Sequence, residues 1–126
     1  MTRGWIGAGL LAGLLVIGLL VTWAMDHTHS EISEELERSA RYAAAGNWEE
    51  AADAAEESYE SWQEKWHFSA AFADHEPMEE IDALFAQLWP FLTERDAVSF
   101  SAVCRELARQ VDAMGDAHGL NWWNLL

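Results

Sequence analysis

The residues best able to do chemistry gather around His75. Asp74, Glu76 and Glu79 stand beside it, and on a helix start His75 and Glu79 fall one turn apart. With His67 approaching from a preceding helix, two imidazoles and a carboxylate could hold a divalent cation. Alternatively, one imidazole could serve as a general base oriented by an acid. The plainer reading is that His75 hydrogen-bonds the loop it opens from, since the chain has no HExxH and no second cysteine. His27 and His29, two apart beside Asp26, are a still sparser pair and read first as part of a polar linker. No glycine-rich phosphate loop and no serine elbow occurs. The expectation is a protein with no catalytic residues, no cofactor and no small-molecule substrate. His67, His75 and Glu79 remain the candidate metal ligands of an alternative, cation-binding reading.

Everything that could position such groups hangs from residues 5–25, WIGAGLLAGLLVIGLLVTWAM, which hold no charged side chain. At ~1.5 Å per residue they reach across a ~30 Å hydrocarbon layer as one helix. Trp5 and Trp23 stand near its two ends, at the level where amphipathic rings suit lipid headgroups. Arg3 precedes the run while Asp26, Glu31, Glu34 and Glu35 follow it, so the positive-inside bias places the amino terminus in the cytoplasm and the rest outside. A cleaved signal peptide is the rival, because Thr22-Trp23-Ala24 offers small residues at the spacing signal peptidase reads. The run exceeds the usual ~7–15-residue signal core, which favours a retained anchor over a secreted helical module. Within it Gly9 and Gly13, extended by Ala8 and Ala12, form a small-xxx-small face that would let a second membrane helix approach closely.

The organisation expected is an anchor over residues 1–25, a polar neck over 26–30 and an acidic helical domain over 31–126. About a hundred residues suit one modest core. The chain carries 22 acidic against 7 basic side chains, a formal charge of −15, and setting Arg3 aside takes the remainder to −16. Nucleic acid and anionic lipid surfaces both need a basic footprint, so neither is an expected ligand of this domain. A basic protein partner, or a second copy, fits better. Cys104 is the only cysteine and falls at helical spacing with Phe100, Leu107 and Val111, as a buried thiol would.

Apolar spacing beyond the neck predicts four amphipathic helices and no strand, most simply an antiparallel up-down bundle. Ser30 is the expected N-cap of the first, whose stripe is Ile32, Leu36, Ser39, Ala40 and Ala43, with Glu34–Arg38 and Glu37–Arg41 as flanking pairs. Gly46-Asn47 should close that helix and open the next, which shows Trp48, Ala51, Ala52, Ala55, Tyr59, Trp62 and Trp66 on one side. Residues 42–51 resemble the turn of a tetratricopeptide hairpin, which implies a helical hairpin and, with no second copy, nothing more. Pro77 is placed to start a third helix and Pro90 to kink it. Asp96 should cap a fourth that ends near Gly115 and Gly119. Trp122 and Trp123 are neighbours and cannot both face one way, which leaves one to pack on the bundle and one for the headgroups or a partner.

Trp62 and Trp66, then His75-Glu76 leading a helix with Ile81, Leu84 and Leu88, and the closing Asn124-Leu125-Leu126 resemble domain-of-unknown-function family 4363. The likeness spans nearly the whole chain. It implies a short bacterial protein, of a kind found chiefly in Gram-positive lineages, with an amino-terminal membrane helix and a small helical domain. It implies no activity and no catalytic residue.

Overall fold

The computed structural model describes residues 2–69 and 75–123. Four helices account for them: α1 (Thr2–Ala44), α2 (Trp48–Ser69), α3 (His75–Glu94) and α4 (Ala97–Trp123), with no strand among the described residues.

The apolar amino-terminal segment and the first helix of the acidic region, expected as two elements with a neck between, are one. Residues 26–30 are helical, and Ser30, instead of capping a new helix, turns its hydroxyl back to the His27 carbonyl at 3.2 Å. The stretch contains poor helix formers but neither glycine nor proline, so nothing in it forces a break. The ladder propagates through it because extending an existing helix adds a bond for each residue fixed. At 43 residues α1 is roughly 65 Å long.

The two halves of this rod meet different surroundings. The stretch Arg3–Val21 is uncovered by the other described residues, and by length and composition it is apolar enough to span a membrane. From Ile32 onward the same helix supplies the core, with Ile32, Leu36, Ala40 and Ala43 buried against Ala51, Ala55 and Trp62 of α2. Met78, Ile81, Phe85 and Leu88 of α3 and Phe100, Cys104, Leu107, Ala108 and Val111 of α4 complete it.

Side-chain size sets the spacing of the helices. α1 lies close to α2 and α4, where alanines and serines face one another. The Ser39 hydroxyl donates to the Ala51 carbonyl at 2.6 Å, and Ser101 donates to the Ala40 carbonyl at 3.3 Å. Both bonds cross between helices at buried sites. α2 and α3 stand further apart, separated by rings: Tyr59 and Phe85 at 5.3 Å, Trp62 and Phe85 stacked at 6.4 Å, Tyr59 and Trp89 edge to face at 5.8 Å.

The two short turns share one construction. Gly46 donates to Ala43 O and Asn47 to Tyr42 O; Arg95 donates to Leu92 O and Asp96 to Phe91 O. Each is a Schellman closure that needs a left-handed residue, supplied by Gly46 at φ 80° and by Arg95 at φ 54°. Asp96 then caps α4, accepting from Ser99 N at 3.2 Å. Hydrogen bonds from Ser99 hold the Asp96 carboxyl below its ordinary value.

Other boundaries differ from the sequence reading. α3 starts at His75, so Pro77 sits third in it, still within the first turn where an amide has no intrahelical acceptor to lose. α4 runs through Gly115 and Gly119 to Trp123 instead of ending at them. A helical glycine costs only about 1 kcal/mol relative to alanine, a penalty that the packing of an amphipathic face exceeds. Arg38 pairs with Glu35 at 2.9 Å, not with Glu34, a three-residue step being as close on a helix as a four-residue one.

Candidate functional site

The uncovered length of α1 carries nearly all the exposed large apolar side chains among the described residues. Trp5, Leu10, Leu11, Leu14, Leu15, Leu19 and Leu20 are all more than half exposed. Outside α1 the only comparably exposed large apolar side chain among the described residues is Val98. Gly9 and Gly13 face open space, and a Cβ built on either meets nothing within 4 Å. Among the described residues, nothing packs on Gly9 or Gly13.

Where this surface gives way to the bundle, three side chains follow one another at four-residue steps. The Trp23 and His27 rings stack at 5.5 Å, and His27 Nε2 lies 3.2 Å from Glu31 Oε1. An aromatic ring, an imidazole and a carboxylate thus line one stripe of the neck. Glu31 continues into a groove between α1 and α2 that also receives Ile32, Glu34, Glu35, Arg38, Glu57, Ser58 and Ser61.

Two further grooves flank α3. Glu80, Glu106, Arg109, Gln110 and Met114 border one between α3 and α4. There Arg109 Nε donates to Glu106 Oε2 at 3.1 Å and Gln110 donates to Glu106 Oε1 at 3.1 Å. These bonds pull the Glu106 carboxyl down to about 2. The other, between α2 and α3, is lined by Glu56, Tyr59, Glu60, Gln63 and Trp89. In the sequence Tyr59 falls on the apolar side of the second helix, and Trp89 lies on α3. Both are half-buried, and their pairing across the helices had no local signal.

Of the candidate metal ligands, Glu79 is exposed on the outside of α3. The side chains of His67 and His75 lie outside the described residues, as do those of Trp122 and Trp123. Among the described residues no three His, Cys, Asp or Glu side chains are grouped so as to hold an ion. Cys104 is buried beside Ser39, and burial pushes its thiol up to about 12.

Comparison with known proteins adds a family and no chemistry. A family model described as Domain of unknown function (DUF4363) matches residues 20–125, from the end of the apolar run almost to the last residue. No curated protein and no solved structure matches the chain.

Proposed function

The chain belongs to the family described as Domain of unknown function (DUF4363), and we propose that it works as a single-pass membrane protein that makes protein contacts and performs no catalysis. In this reading the amino terminus is cytoplasmic and residues 3–21 of α1 cross the membrane. The helices beyond form an antiparallel acidic bundle outside the membrane that contacts a basic partner or helps assemble a membrane complex. The observation that supports it is that one helix carries both a bare apolar segment and part of the packed core. The segment left bare by the fold is the apolar one, and the segment that packs begins at Ile32.

Holding a domain at a membrane raises the effective concentration of its partners, so shallow helix-face contacts suffice. A continuous helix adds a constraint that a flexible tether lacks, because it fixes the height and the rotation of the bundle above the lipid. Outside the anchor the described surface is polar and acidic, with Val98 as its single prominent apolar point, which suits a partner recognised by charge.

Crosslinking in intact membranes, followed by identification of what is captured, is the test. Recovery of a basic membrane-associated protein joined to residues beyond Ile32 supports the reading. Recovery of the chain in the soluble extracellular pool, lacking residues 1–24, would replace it with a secreted module.

A further inference from the structure

We propose that the groove between α2 and α3, walled by Tyr59 and Trp89 and edged by Glu56 and Glu60, receives an arginine side chain from a basic segment of a partner protein. This rests on the membrane-anchored, protein-binding reading above and specifies the partner's chemistry.

The groove exists because rings, not alanines, separate α2 from α3. Tyr59 and Trp89 meet edge to face at 5.8 Å with planes 77° apart, and an edge-to-face pair cannot cover both faces of both rings. Tyr59 also packs on Phe85 at 5.3 Å, yet Tyr59 and Trp89 are only half-buried and both line the groove, where Glu56, Glu60 and Gln63 supply the polar edge. Among the described residues no lysine or arginine lines it, unlike the two grooves described above, where Arg38 and Arg109 already occupy carboxylates.

A ring face attracts a cation through its quadrupole, and a neighbouring carboxylate offers the same cation a charge-assisted hydrogen bond. Guanidinium satisfies both demands at once, being planar for stacking and forked for the carboxylate, whereas ammonium is compact and strongly hydrated. The position favours a protein over a lipid headgroup as its source. Ser58 and Ser61, either side of Tyr59 and Glu60, line the same groove as Ile32 of α1. Ile32 stands roughly 16 Å along α1 from Val21, and a headgroup layer is only ~5–8 Å deep.

The experiment is a calorimetric titration of the full-length chain in uncharged maltoside micelles. Its probes are a short peptide alternating glycine and arginine, the same peptide with citrulline for arginine, and tetramethylammonium. The arginine peptide is expected to bind and the citrulline peptide not. The E56Q/E60Q double variant, at exposed positions, should weaken binding about tenfold, and W89L by a similar factor. D112N/D116N, which removes the same charge from α4, should change it less than about twofold. Equal losses in the two double variants would reduce the effect to net charge and overturn the site. So would absence of binding, or tetramethylammonium binding in place of the arginine peptide. Should W89L unfold, the two charge variants still decide. If intact-membrane crosslinking captures a partner while the arginine peptide fails to bind, the groove is wrong and the anchored reading survives.

Discussion

The rings of Trp23 and His27 lie parallel to within 3° at 5.5 Å, one turn apart on the stretch of α1 that joins its bare half to its packed half. His27 in turn reaches Glu31, so the neck is spanned by a run of four-residue contacts. Residues 26–30 have little intrinsic helix propensity, and these contacts are what the side chains add to the backbone ladder there.

Replacing His27 with alanine should separate neck from bundle. His27 and Glu31 are mostly exposed, so urea unfolding of the bundle should change by less than about 0.5 kcal/mol. Amide exchange over residues 26–30 should quicken. A bundle destabilised by more than about 1 kcal/mol would mean that the neck belongs to the cooperative unit.

The two Schellman turns make opposite predictions. Arg95 holds a left-handed backbone at φ 54°, so Arg95→Gly should stabilise by about 1 kcal/mol in a denaturant titration. Gly46 has open space where a Cβ would go, so Gly46→Ala should destabilise by about 1–2 kcal/mol through backbone conformation alone.

Much of this was legible in the chain, and the misreadings share a cause. Gly46-Asn47 announced its turn because glycine is the usual left-handed residue there; Arg95 adopts the same conformation without any such signal. The polar composition of residues 26–30 looked like an interruption, yet polarity does not break a helix that neither glycine nor proline interrupts. Gly115 was read as a stop, although a glycine on a packed face need not end anything. The stripe Ile32, Leu36, Ser39, Ala40 and Ala43 of α1, and the spacing of Cys104 with Phe100, Leu107 and Val111 in α4, match the buried set because apolar spacing reports burial directly. The Tyr59–Trp89 groove depends on which helices become neighbours, and a one-dimensional pattern does not carry that.

Core truncations should rank by what they leave behind. Phe85 is fully buried and touches Tyr59 and Trp62, so Phe85→Ala should cost about 3–5 kcal/mol by opening a cavity. Ser39→Ala should cost only about 1 kcal/mol, because the Ala51 carbonyl lies inside a helix and keeps its backbone donor. Chemical unfolding of both variants checks the order.

Cys104 should be silent in the folded protein. Burial raises its thiol from an ordinary 9.0 to about 12, so a thiol reagent at pH 8 should label it only after denaturant is added. Between about pH 9 and 12 the unfolded chain loses this proton and the native chain keeps it. Stability from this group is therefore complete below pH 9 and declines as pH rises to 12. Cys104→Ser should flatten that decline; an unchanged alkaline slope would assign it to other groups.

The claim everything else depends on is that one unbroken helix leaves the lipid and enters the bundle. Spin labels at Leu15 and Glu37, with the chain in lipid nanodiscs, measure it by dipolar spectroscopy. The account predicts a single narrow distance near ~33 Å, the rise of a continuous helix over that interval. A broad distribution, or one centred well below that value, would show that the rod bends or breaks at the neck and that the bundle is merely tethered.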